Sequence, residues 1–370
     1  MCHDDSPPEK RPAEASQQLN AGPQDNTRLV RYCLPLGQFP VVHSMQTRPL
    51  GTTGKRVSAL GFGCMGLVGW YGERNDAEAA ATLLAAVDGG VTHLDTAASY
   101  QVGENEKFVG ATLGARRKDV FLATKCGLGW REGKLVVDNS PALIEASCNE
   151  SLKRLGTDHV DLFYLHRIDR NVPVEESVGT LAKLVAAGKI RYAGLSECSP
   201  ETLRRACKVH PIAAVQMEYS VWFRGPEASM LPTCRELGVN LVAYSPLGRG
   251  FLAGNFRTLA ELPKDDHRRN QPRFVEGNVE HNLAIADAVR EMAKRKSATL
   301  AQIALAWVLA QGENVLPIPG TKRRERQAEN AAAVDIKLTP AEAQELASAV
   351  DRVTVKGERY PPAMMNALNG

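Results

Sequence analysis

The sequence predicts a (β/α)8 barrel. Eight short runs rich in β-formers recur along the chain, at residues 57–62, 91–96, 119–125, 159–166, Ile190–Ser196, Ile212–Glu218, 239–245 and 315–319, with helical patterns between them. That alternation marks βα units on a parallel sheet. Polar residues stand at the ends of several runs, where a barrel of this kind gathers its chemistry.

The first 44 residues stand apart. They hold six prolines and scattered charges, and their most apolar part, 29–42, is broken by Arg31, Pro35, Gln38 and Pro40. That is not a secretory signal, and Asp4, Asp5, Glu9, Glu14 and Asp25 argue against an acid-poor transit peptide. Residues 1–44 read as a disordered extension, or as the product of a start mis-assigned upstream of Met45, and residues 45–370 as the barrel domain.

The first run leads into Gly61-Phe62-Gly63-Cys64-Met65-Gly66, a match to the G-x-G-x-x-G dinucleotide fingerprint. Its context fails. Gly69 and Gly72 prolong a loop where a helix should begin, and no acidic residue closes the next strand about 20 residues later.

Further along, Ser140-Pro141 and Ser199-Pro200 each pair a capping hydroxyl with a proline at the first helical position. Gly156, Gly188 and Gly238 close helices ahead of the next strand. About 30 residues, from Leu247 to Asn278, separate the seventh strand from the next helix, and a segment so long reads as a lid. Capping boxes at Thr299/Gln302 and Thr339/Glu342 open an extra helix before the eighth strand and a C-terminal helix through about Val350.

Composition excludes several classes. The 370 residues are 44% hydrophobic and 24% charged, with a net charge of +3. There is ample core material and too little charge to argue for nucleic acid or a membrane surface. No stretch is long and apolar enough to span a bilayer. The eight cysteines form no C-x-x-C pair and read as reduced thiols in a cytosolic protein.

Four polar residues close the second, third and fourth strands or lie just beyond them: Asp95, Tyr100 in the next loop, Lys125 and His166. Each alone fits a structural ion pair or a satisfied core histidine. Together they form a proton-transfer set. A phenol of pKa about 10 donates near neutrality only if its phenolate is stabilised, and a lysine held by an aspartate does that. His166 would hydrogen-bond a carbonyl oxygen as it gains charge.

Several longer motifs carry a resemblance. Arg48-Pro49-Leu50-Gly51, Leu94-Asp95-Thr96-Ala97, Ala123-Thr124-Lys125, Gly194-Leu195-Ser196, Ala243-Tyr244-Ser245-Pro246-Leu247-Gly248-Arg249-Gly250 and Ile318-Pro319-Gly320-Thr321-Lys322 stand beside the glycine motif above. With them the chain resembles the aldo-keto reductases, in the branch similar to bacterial YakC-like and pyridoxal reductases, from about Met45 to Met365.

The resemblance implies an NADPH-dependent reductase of small carbonyl compounds, with Tyr100 as proton donor, Asp95 and Lys125 tuning it, and His166 orienting the carbonyl. It assigns Ser196 and Gln216 to the nicotinamide amide and Tyr244 to the face of its ring. Ser245, Pro246, Leu247 and Gly250 match the pyrophosphate loop. Gly320, Thr321, Lys322, Arg326, Glu329 and Asn330 match the adenosine end, with Arg326 the first choice to read the 2′-phosphate.

Two departures bear on the pocket: Gln101 stands where glycine is usual, and Cys126 where an aromatic is common. Trp70, Tyr71, Trp130, Trp222 and Phe223 are candidate substrate contacts. Two rivals remain from other classes. A cofactor-sensing subunit of the potassium-channel β type shares the fold. A metal-dependent barrel enzyme would need clustered ligands, and His267 and His281 are isolated in sequence, so no metal is expected.

One expectation concerns residues 1–44. Their removal should leave the melting temperature unchanged, because so polar and proline-rich a segment does not repay its ordering entropy. A thermal melt of the truncated protein checks this, and a large loss would show that the segment packs on the barrel.

Overall fold

The computed structural model describes residues 45–368 and 370, so the reading of residues 1–44 lies outside the described part. Eight parallel strands run in chain order around the centre: β1 (Phe62–Gly63), β2 (His93–Asp95), β3 (Phe121–Cys126), β4 (Val160–Leu165), β5 (Ile190–Ser196), β6 (Ile212–Glu218), β7 (Asn240–Tyr244) and β8 (Val315–Pro317). Two backbone hydrogen bonds join the first strand to the last, Gly61 N–H to Pro317 O at 2.9 Å and Gly63 N–H to Pro319 O at 3.0 Å. They bring the sheet round on itself as a barrel.

Helices α1 (Asp76–Asp88), α2 (Glu104–Leu113), α3 (Pro141–Leu155), α4 (Val174–Ala186), α5 (Pro200–Val209) and α6 (Met230–Leu237) come after the first six strands in turn. Helices α7 (Asn278–Arg295) and α8 (Leu300–Leu309) both precede β8, and α9 (Arg324–Ala331) and α10 (Pro340–Asp351) come after it. The extra helix and the C-terminal helix expected from the two capping boxes are therefore present, and both boxes form. Ser199 caps α5 through Thr202 N–H at 3.1 Å. Ser140 makes no such bond; its own N–H goes to Asp138 Oδ1 instead.

Alternation along the strands divides the core. Leu162 and Tyr164 of β4 face a small cluster inside the barrel with Ala123, Ala214, Val242 and Leu316, while Phe163 and Leu165 join the larger cluster beneath the helices. That period of two is what a strand buried on both faces requires. Among the described residues, no helix is long and apolar enough to cross a membrane.

One element departs from expectation. Residues 57–62 do not form a single strand: Arg56–Ser58 pairs antiparallel with Thr47–Pro49, and the chain then turns into the two-residue β1. Ser58 explains the break, since its hydroxyl accepts from Thr92 and His93 N–H at 3.0 and 3.2 Å and ties the hairpin to the start of β2. The long segment after β7 is not irregular either. It folds as short 3-10 turns around Phe251, Phe256 and Phe274, which pack on one another and on Trp222.

The glycine motif has a structural reason of its own. A Cβ on Gly63 would lie 2.8 Å from Ile318 O, and one on Gly320 would lie 2.5 Å from Gly63 O, so the seam between β1 and the chain after β8 closes only with bare backbone on both sides. We expect Gly320→Ala to destabilise the protein by about 1–3 kcal/mol, the usual cost of forcing an extra methyl into a packed site. Chemical denaturation measures it, and an unchanged midpoint would show that the seam relaxes freely.

Candidate active site

The four residues expected to act together meet at one end of the barrel. Asp95 closes β2 and Lys125 lies near the end of the neighbouring β3, so their side chains converge. The Lys125 ammonium donates to Asp95 Oδ1 at 2.5 Å, to Thr96 O at 2.8 Å and to the Tyr100 hydroxyl at 3.3 Å. Tyr100 opens a short 3-10 turn after β2, in which Gln101 and Val102 adopt left-handed backbone with φ of 49° and 52°. His166 comes directly after β4, its ring edge-on to that of Tyr100 with centroids 5.9 Å apart. Its Nδ1 lies 3.2 Å from Ser99 Oγ.

Burial decides the charge states. It pushes the Tyr100 phenol above its ordinary pKa; Lys125 pulls the other way and Asp95 adds to the rise. Burial also penalises the Lys125 ammonium, but Asp95 and Tyr100 outweigh it and the net shift is upward. His166 is held well below its ordinary value by burial and by the charges of Arg167 and Lys125. Near neutrality the set is thus a protonated phenol, an ammonium and a neutral imidazole. Ser99 O–H donation to Nδ1 would place the His166 proton on Nε2.

A cavity of about 960 Å³ runs from this set across the barrel mouth. Asp95, Tyr100, His166, Gln216 and Tyr244 line one end. Ser245, Pro246, Leu247 and Gly250 line the cavity after β7, and Gly320, packed against Gly63 beside Asp95, leads to Thr321, Lys322, Arg326, Glu329 and Asn330 at the far end. Gln216 is oriented by donating from Nε2 to Asp95 Oδ2 at 2.8 Å. Ser196 is the exception among the expected residues that touch a ligand: it is buried behind the wall, where its Oγ accepts from Arg167 at 3.3 Å. Lys125 also lies behind the surface, as a residue that tunes Tyr100 must.

At the far end the cations crowd one another. Burial and Arg323 together lower the pKa of the half-buried Arg326 and of Lys322. Arg324, by contrast, turns away and pairs with Glu78.

Trp70, Tyr71 and Trp130 line the cavity, and Trp130 projects from a hairpin (Leu128–Arg131 with Lys134–Val137) absent from the sequence reading. Trp222 packs under the long segment instead. Neither Gln101 nor Cys126 lines the cavity; Cys126 is buried in the core beneath the helices. Among the described residues, no group of three or more His, Cys, Asp or Glu is placed to hold a metal ion.

Sequence reasoning missed a buried charge network beside Tyr244. Arg359 donates to Glu197 Oε1 at 2.5 Å, to Glu218 Oε2 at 2.8 Å and to the Tyr244 hydroxyl at 2.8 Å. Arg273, from the long segment, takes the other oxygen of Glu218 at 2.8 Å. Tyr360 then meets the Tyr244 hydroxyl at 2.8 Å and lines the cavity. Arg249, whose Nη1 donates to Tyr71 at 3.2 Å, was missed as well. The available signal was two glutamates closing strands five and six, positions where an unpaired carboxylate is not tolerated.

Comparison with known proteins agrees with this architecture. The sequence profile of the Aldo/keto reductase family matches residues 59–351. A Schizosaccharomyces pombe protein named aldo-keto reductase yakc, with NADP(+) in its name, is 43% identical over 326 residues, covering 86% of this chain and 95% of its own. A Glycine max relative is 43% identical over 319 residues, 85% of this chain and 92% of its own. Among solved structures, a glycerol dehydrogenase from Gluconobacter oxydans superposes with a TM-score of 0.76 at 30% identity, covering 85% of this chain and 98% of that one. A Klebsiella pneumoniae aldo/keto reductase in complex with NADP and acetate gives 0.64 at 28% identity, over 85% and 98% of the two chains. With a profile match across most of its length and relatives of this identity, the chain belongs to the aldo/keto reductase family.

Proposed function

We propose that the protein reduces aldehydes or ketones to alcohols with NADPH, and catalyses the reverse oxidation with NADP+. The observation that carries this reading is the Lys125 ammonium set between Asp95 and the Tyr100 hydroxyl at one end of a cavity whose other end is crowded with cations. The far end suits the cofactor on its own terms. Lys322, Arg323 and Arg326 repel one another beside the start of α9, and a phosphate dianion there relieves that repulsion while meeting free helix N–H groups. Gly250, Ser245 and Arg249 would hold the pyrophosphate, and Gln216 and Tyr244 the nicotinamide.

Bound NADPH supplies a hydride to the carbonyl carbon. The rest falls to this chain. Tyr100 gives its proton to the carbonyl oxygen as that atom gains negative charge, and Lys125 stabilises the phenolate left behind. Asp95 keeps the ammonium charged and in place. His166, neutral, donates from Nε2 to the same oxygen and orients the carbonyl, while Ser99 sets the tautomer that lets it do so.

Tyr100→Phe removes only the hydroxyl, so NADPH binding should persist while kcat falls by roughly 10² to 10⁴, the usual range for a general acid. Single-turnover kinetics with a simple aldehyde tests it, and near-parental turnover would remove Tyr100 from the mechanism.

The pH dependence comes from the shifts. Reduction needs the protonated phenol, whose pKa lies above its ordinary value of about 10. The rate of reduction should therefore stay level through neutrality and decline only in strong alkali. Neutral His166 adds no break above pH 6.5, since its pKa lies below that value. Lys125→Met removes the main group that lowers the phenol's pKa, so its alkaline limb should move to higher pH as the neutral rate drops. Coincident profiles for the two proteins would show that Lys125 does not act on Tyr100.

Arg326→Ala should weaken NADPH by roughly tenfold to a hundredfold, since a hydrogen bond to a charged group contributes about 1.5–3 kcal/mol. NADH, lacking the 2′-phosphate, should be little affected. Quenching of intrinsic fluorescence gives both dissociation constants, and an equal loss for the two would take the phosphate away from Arg326.

A further inference from the structure

The wall between His166 and the segment around Arg359 holds an unequal number of charges. Glu197, Glu218, Arg167, Arg273 and Arg359 all lie within it, none more than 9% exposed. Two carboxylates face three guanidinium groups, and one of the three has no carboxylate hydrogen-bonded to it. The hydrogen bonds say which. Glu218 is divided between Arg273 and Arg359, at 2.8 Å each. Glu197 takes Arg359 on both oxygens and fills the rest of its capacity with the Tyr244 hydroxyl and Glu218 N–H, at 2.8 and 3.0 Å. Arg167 is left with neutral acceptors, His166 O at 2.6 Å and Ser196 Oγ at 3.3 Å, and no ion pair among the described residues.

Arg167 also lines the cavity, next to His166 and within electrostatic reach of Tyr244, Tyr360 and Tyr100. Burial disfavours its charge, and the phenols of Tyr244 and Tyr360 with the Glu197 carboxylate more than offset that through space, but no carboxylate among the described residues takes its N–H groups. Its planar fork matches a carboxylate through two parallel N–H···O bonds, in a way that no neutral acceptor equals. We propose that Arg167 is an anion-accepting subsite, and that the preferred substrates are aldehydes or ketones carrying a carboxylate. The inference rests on the reductase reading above and deepens it by naming the substrate class. The carboxylate takes no part in the bond changes: hydride goes to the carbonyl carbon, the Tyr100 proton goes to its oxygen, and the acid group anchors the molecule.

The test compares straight-chain aldehydes ending in a carboxylate, over a range of chain lengths, each with its own methyl ester. At the chain length that spans Arg167 and the Tyr100–His166 pair, the acid should exceed the ester in kcat/KM by about tenfold or more, the worth of one charged hydrogen bond. Arg167→Met should bring that ratio to about one, chiefly through KM, and Arg167→Lys should restore part of it. Dissociation constants for NADPH, from fluorescence, are measured on all three proteins.

A parent enzyme that turns over acids and esters alike at every length overturns the proposal, whether or not the variants fold. So does a ratio that survives in Arg167→Met. A tenfold loss of NADPH affinity in that variant with the acid preference intact would assign Arg167 to the cofactor and also overturn it. Failure of the parent to reduce any aldehyde, acid or ester, would instead strike the reductase reading, and the substrate class would fall with it.

Discussion

The buried pair between Lys125 and Asp95 is the constraint around which the rest is built. An ammonium and a carboxylate lie 2.5 Å apart with side chains 0% and 2% exposed. Such a pair survives only if its remaining hydrogen-bonding capacity is met, and removing one partner typically costs about 3–5 kcal/mol. Here Thr96 O and the Tyr100 hydroxyl take the other ammonium bonds, and Gln216 reaches across from β6 to the second carboxylate oxygen. Those partners come from separate strands and the loop after β2. A slip of one residue in β3 would turn Lys125 outward among the helices and Cys126 into the barrel, so the register of the sheet and the chemistry of the site are one requirement.

Much of this was legible because it is local. A strand that ends on a polar residue declares both its direction and its chemistry, and Asp95, Lys125 and His166 could be read that way without knowing how the strands meet. The caps at Ser199, Thr299 and Thr339 are equally local, each a hydroxyl answering a backbone N–H three residues on. Strand one was misread for the opposite reason: what ends the run at Ser58 is a bond to Thr92 and His93, across a whole helix. Arg359 lay further out of reach, since no pattern links it to Glu197 or Glu218 until the chain has folded. Ser196 stands where the family pattern puts it, but no motif announces that its hydroxyl oxygen accepts from the neighbouring Arg167.

The glycine motif illustrates how one string can satisfy two different physical demands. In a dinucleotide fold, bare backbone admits a pyrophosphate. At Gly63 it admits another stretch of the same chain, because the carbonyls of Ile318 and Gly63 face Gly63 and Gly320 across the seam. The glycines alone do not separate the two cases. The short 3-10 turn over Cys64–Val68 and the loop that follows through Gly69 and Gly72, in place of an α-helix opening on the motif, do.

Glu218 has a consequence for what the rim depends on. One of its oxygens holds Arg273 and the other Arg359, so the segment after β7 and the chain beyond α10 are latched to the same carboxylate. Arg359 lies downstream of all eight strands. A chain cut short before Arg359 would leave Glu197 without a guanidinium and Glu218 with Arg273 alone. The residue that completes the wall under Tyr244 thus also clamps the chain beyond α10 to the ends of β5 and β6, so the shape of the cavity mouth depends on the last stretch of the sequence.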